Sequence, residues 1–162
     1  MLFRSLVLVE QSAGNIKRVS LELLALANEV GTASAVVVGA GAGDCVAELA
    51  AHGAETVYVC DNAAVTAHVV VPTVEVLASL VADKSPTAVL IPSSADGKEI
   101  AGRLAVATNS GIITDAVALD SSLVATQNVF GGATIVHSKV TSGTPIVTVR
   151  PNSHEVKAAA GA

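Results

Sequence analysis

The chain has 162 residues, 51% of them hydrophobic and 14% charged, with a formal net charge of −5. That length suits one domain able to bury roughly 70% of its unfolded surface, and the composition excludes a disordered, highly charged polymer. The 9 basic residues are scattered apart from Lys17-Arg18, and the aromatics are Phe3, Tyr58 and Phe130, so neither a phosphate-tracking stripe nor a stacking platform for nucleic acid is present.

No apolar stretch approaches the roughly 20 residues of a membrane helix, so no membrane insertion is expected. The N-terminal MLFRSLVLVEQ has too short an apolar run for a secretory signal and nothing like a cleavage site. A cytoplasmic setting, and a bacterial source without a transit segment, are the expectation. Cys45 and Cys60 have no second pair and no histidine at metal spacing, which points to small buried hydrophobes in a reducing compartment.

Leu6 to Glu10 reads as the first strand, its unbroken LVLV suited to burial on both faces. Asn15 is placed to cap a helix with Ile16, Val19, Leu23, Leu24, Ala27 and Val30 on its apolar face, and Gly31 to stop it in the left-handed region. Ala33 to Val38 is the second strand, Asp44 the cap of a short helix through Ala51, Gly53 its end, and Thr56 to Cys60 the third strand. Pro72 opens a helix with Val74, Leu77, Leu80 and Val81 inward, ended by Ser85-Pro86. Ala88 to Ile91 is the fourth strand, and Asp96-Gly97-Lys98-Glu99 has capping-box spacing for a helix through Ile100, Leu104 and Ala107. After Thr114 the pattern turns to strands without helices, at Ala116–Leu119, Leu123–Val129, Ala133–Val140 and Ile146–Val149. The segment 152–162 ends in KAAAGA and reads as the start of a linker after a domain at 1–151.

Gly39-Ala40-Gly41-Ala42-Gly43 invites a dinucleotide-binding reading, with Asp61 as the acidic residue on the next strand. The spacing fails: Asp44 stands at the third glycine, where its carboxylate would repel a pyrophosphate. Gly97-Lys98 lacks the Ser or Thr that would follow in a phosphate-binding loop. Ser93-Ser94-Ala95-Asp96 resembles a pyrophosphatase loop but lacks the paired glycines that wrap a phosphate. His52, His68, His137 and His154 share no spacing that places two on one face, and no G-x-S-x-G elbow occurs. No catalytic or metal site is read from these motifs. Arg103 and Asp115 are placed to form an ion pair tying the α/β part to the strand-rich end, and Gly131-Gly132 to reverse the chain between two strands.

Taken in order, LVLVEQ, SSADGKEIAGRLAVATNSGIITDAVAL, QNVFGGATIVHSKV and TPIVTVRPNSHE resemble the N-terminal domain of electron transfer flavoprotein α subunits, from Leu6 to about Val156. Gly97, Arg103, Leu104-Ala105, Gly111, Asp115, Gly131-Gly132-Ala133 and Val149-Arg150 carry the likeness. It implies a three-layer α/β fold of the adenine nucleotide α-hydrolase type, with a mostly parallel sheet and additional C-terminal hairpin strands. It also implies part of a heterodimeric electron carrier, taking electrons from dehydrogenases through FAD and passing them to a quinone oxidoreductase or another acceptor. In that family FAD is held mainly by the C-terminal domain of the α subunit against the β subunit, and the β subunit carries AMP.

The resulting expectation is a noncatalytic scaffold that holds no cofactor in this segment. Gly97, Arg103, Asp115, Gly131, Gly132 and Arg150 are its structural or interface candidates, facing the β subunit and the C-terminal FAD domain. The rival is a nucleotide-binding domain of the universal-stress type, which would need a G-x-x-G followed by G-S or G-T near a last helix. The chain lacks that pattern.

Overall fold

A computed structural model describes residues 3–159. Its centre is a six-stranded, all-parallel sheet with strands β1 (Arg4–Val9), β4 (Thr32–Val38), β5 (Ala54–Cys60), β6 (Ala88–Pro92), β7 (Ile112–Ala116) and β11 (Ile146–Val149), ordered β5-β4-β1-β6-β11-β7. β1 lies in the middle, and Leu6, Val7, Leu8 and Val9 are all at or below 4% exposed, as an apolar run covered on both faces requires.

Alternate residues of the strands supply two cores. On one face Val7, Val9, Ala35 and Val37 pack against α1 (Arg18–Val30) and Leu49 of α2 (Val46–Ala51). On the other, Leu6, Leu8, Val36 and Ile91 pack against Val74 and Leu77 of α4 (Val71–Lys84) and against Ile100 and Leu104 of α5 (Ala95–Ala107). These are the expected three layers. A single turn, α3 (Ala63–Thr66), follows β5.

Two smaller sheets decorate this core. A short hairpin, β2 (Gln11–Ser12) with β3 (Asn15–Ile16), separates β1 from α1. An antiparallel sheet of β8 (Ala118–Leu119), β9 (Val124–Val129) and β10 (Thr134–Lys139) lies between β7 and β11 in the chain. It packs through Leu119 and Ala125 onto the α1 side of the core.

Several local expectations are corrected. Asn15 caps no helix; it sits in the β2–β3 hairpin and its amide donates to Ser12 O and Ala13 O at 3.2 and 3.4 Å, while Lys17 precedes α1 without a side-chain cap. Gly31 has φ 168°, which is extended, not left-handed; its need is space, because a Cβ there would lie 2.2 Å from Phe3 O. Asp44 lies inside a 3-10 turn, Ala42–Cys45, whose entry residue is left-handed Gly41. The cap of α5 is Ser94, whose Oγ accepts from Gly97 N at 2.9 Å, so the register is two residues earlier than the Asp96–Glu99 spacing suggested. The strand expected over Ala116–Leu119 is split at Val117, with Ala116 closing β7 and Ala118–Leu119 forming β8, and β11 belongs to the parallel sheet, inserted between β6 and β7.

Candidate functional site at the carboxyl ends of the strands

In a parallel sheet the crossovers from β1 and from β6 depart in opposite directions, which opens a crevice between their carboxyl ends, the usual ligand position in such folds. Here Glu10 follows β1, the glycine turn follows β4, and Ser93-Ser94 follow β6.

The glycine turn is covered by the protein itself. Gly39 and Gly41 have φ of +105° and +80°. A Cβ on Gly41 would stand 2.6 Å from Gly14 N, because the tip of the β2–β3 hairpin rests on the turn. Gln11 secures the contact: its Nε2 donates to Ala40 O at 3.1 Å and its Oε1 accepts from Gly14 N at 2.9 Å. The Cys45 thiol donates to Gly14 O at 3.6 Å, and burial raises its pKa above the usual thiol value, so it stays protonated.

The N-terminus of α5, where a phosphate would find orphan amides and a favourable dipole, already has an anion nearby. Ser94 Oγ donates to Glu10 Oε1, and the same carboxylate pairs with Lys17 Nζ at 3.2 Å. The backbone of Glu10 is pinned by Ser20, whose Oγ accepts from Glu10 N at 2.8 Å. Gly97 lets the helix approach β6 closely, since a Cβ there would lie 1.9 Å from Pro92 O. What remains is a space of about 230 Å³ bordered by Glu10, Gln11, Lys17, Val69 and Asp96. Two carboxylates, Glu10 and Asp96, and a covered glycine turn make this space unfavourable to a phosphate, with Lys17 already paired to Glu10.

A second cluster joins β7, β11 and the antiparallel sheet. Arg150 donates from Nη2 and Nε to Asp115 Oδ2 at 2.6 and 3.2 Å, and from Nη2 to Asn128 O at 3.1 Å. Asp115 N donates to Thr148 Oγ1 at 2.8 Å, and Thr148 Oγ1 donates to Ser93 Oγ at 3.1 Å. The Arg150 hydrogen bond holds the Asp115 carboxyl below its usual range against the opposing pull of desolvation, and the charges of Arg150 and Lys98 act in the same direction. Asp115 carries φ +60°, a conformation that Asp tolerates better than most residues.

The expected Arg103–Asp115 pair does not form. Arg103 lies one helical turn from Glu99 and bonds to it at 2.8 Å on the exposed face of α5, leaving Arg150 as the partner of Asp115. Gly131 and Gly132 do reverse the chain, with φ of +66° and +90° in the tight connection between β9 and β10. Beside them Phe130 is 85% exposed and Ile135 64%, so the tip presents apolar surface to solvent. No group of three His, Cys, Asp or Glu able to hold a metal ion occurs among the described residues. Cys45 and Cys60 are unbridged. No motif in the sequence marks Glu10 or Gln11 as a site residue, while Ser94, weighed within the Ser93–Asp96 stretch and set aside for lack of paired glycines, turns out to be the cap of α5.

A family profile described as electron transfer flavoprotein domain matches residues 5–162. The chain belongs to the electron transfer flavoprotein family. It is 43% identical over 159 residues to the electron transfer flavoprotein subunit alpha of Mycobacterium tuberculosis (strain ATCC 25618 / H37Rv), covering 97% of this chain and 50% of that protein. The subunit alpha of Mycobacterium leprae (strain TN) is 41% identical over 160 residues, with 98% and 50% covered. That of Syntrophomonas wolfei is 32% identical over 161 residues, with 96% and 50% covered. The chain therefore spans about half the length of the curated relatives it matches. It is an α-type electron transfer flavoprotein domain, and nothing in its site favours the universal-stress alternative.

Proposed function

We propose that this electron transfer flavoprotein domain is the noncatalytic N-terminal scaffold of an α subunit, and that it holds no nucleotide of its own. In this reading FAD is bound by a C-terminal domain together with a β subunit. The assembled carrier moves electrons from dehydrogenases to a quinone oxidoreductase or a comparable acceptor in the cytoplasm. The observation that carries the reading is the double closure of the crevice, by the β2–β3 hairpin over Gly41 and by Glu10 beside the N-terminus of α5.

The surface offered to partners is the antiparallel sheet, with Phe130 and Ile135 beside Gly131 and Gly132, and with Arg150 and Asp115 at its root. Segment 152–162 is proposed to lead toward the FAD domain. Among the described residues no helix is long and apolar enough to cross a membrane.

Calorimetric titration of the purified chain with AMP, ADP and FAD tests this reading, with no heat of binding expected. Micromolar affinity for any of the three, or a yellow protein carrying flavin after purification, would refute it.

A further inference from the structure

The segment after Arg150 runs back along the domain and is tied at four points. Asn152 N donates to Glu22 Oε2 at 2.8 Å, and Glu22 is only 3% exposed, with its other oxygen bonded by Arg18 Nε at 3.1 Å. Val156 packs against the α1 core. Lys157 Nζ pairs with Glu29 Oε1 at 2.5 Å. Ala159 N donates to Ala51 O at 3.1 Å, and Ala159 forms a parallel bridge with His52. Glu22 and Glu29 stand two turns apart on α1, so the segment follows that helix from its first turns to its end and by Ala159 has reached the place where α2 passes into β5.

We propose that residues 152–159 form a strap fastened by Glu22 and Glu29, and that the strap fixes the point from which any further polypeptide leaves the domain. That point is the α2–β5 corner, at the amino end of the sheet and opposite the closed crevice, since β5 begins at Ala54. A freely jointed linker from Pro151 would instead start at the carboxyl end of β11, beside the antiparallel sheet. The two anchors differ in kind. Glu22 is buried and accepts a backbone amide, so its hold is insensitive to salt, whereas the Glu29–Lys157 pair is half exposed and screened by it. The strap therefore loosens from its far end first. The inference concerns residues 152–159 alone and does not depend on what the domain carries.

Lys157 is the one tryptic site in the strap, because Arg150 is followed by proline. Limited trypsin digestion read by intact mass, with hydrogen exchange of the Ala159 amide, tests the proposal on the existing chain. The wild-type protein should be clipped after Lys157 slowly, and Glu29→Gln should raise both the clipping and the exchange rate about two- to fivefold, the range of an exposed ion pair. Added salt should reproduce that increase in the wild type and leave Asn152 exchange unchanged. Glu29→Gln lies on the surface and should keep the wild-type Tm, so a failure to fold does not confuse the result. Exchange of Ala159 at the free-peptide rate in the wild type, or equal clipping of wild type and Glu29→Gln, would overturn the strap.

Discussion

Two glycines in α5 show how one substitution takes opposite signs a few residues apart. Gly97 faces Pro92 O at a distance no Cβ can occupy, whereas Gly102 has nothing within 4 Å of the position its Cβ would take. Gly97→Ala must push the helix off β6 and is expected to cost about 1–3 kcal/mol as overpacking. Gly102→Ala gains helix propensity without a clash and should stabilise by about 1 kcal/mol. Urea denaturation of the two variants beside the wild type checks both signs. Asp115 adds a pH-dependent contribution. Its folded pKa is depressed, so its stabilisation is present above the unfolded carboxyl pKa and is lost as pH falls through the lower folded value. Asp115→Asn should therefore melt below the wild type at pH 7, and the gap should close on acidification below about pH 4. A gap in Tm that stayed constant across that range would show the carboxylate to be uninvolved.

At the scale of elements, the parallel core was legible because its strands are short apolar runs and its helices carry apolar residues at three- and four-residue spacing. β1, β4, β6, α1, α4 and α5 lie close to where those patterns put them. What could not be read was non-local. IVTV of β11, apolar apart from Thr148, reads as a buried strand much as β1 does, yet nothing local reveals that it slots between β6 and β7 after a detour through an antiparallel sheet. Nor does a sequence reveal that Arg103 meets Glu99 within its own helix while Arg150, coming from 35 positions away, reaches Asp115. The tip between β9 and β10 carries its own prediction. Phe130 and Ile135 bury little in this chain, so their replacement by serine should leave Tm within about 1 °C of the wild type, as surface changes do. The same double variant should weaken capture of a co-expressed β subunit, measured by size-exclusion chromatography. Undiminished complex formation would move the interface elsewhere.

Across the whole molecule, the first crossover does two jobs. Residues 10–17 link β1 to α1, and in doing so they lay the hairpin over the glycine turn and set Glu10 beside α5. The two closures are physically separate, one steric and one electrostatic. Removing one should not open the crevice. Glu10→Gln keeps the side-chain shape and an acceptor for Ser94 while removing the charge that Lys17 pairs with. Because that carboxylate is only 16% exposed and its bond to Ser94 is charge-assisted, the variant should lose about 1–2 kcal/mol of stability in urea denaturation. Its affinity for AMP should nonetheless stay undetectable by calorimetry, because Gly14 still stands on Gly41 and Asp96 still borders the remaining space. AMP binding that appeared on this single change would mean that charge alone closes the crevice and that the hairpin yields to a ligand.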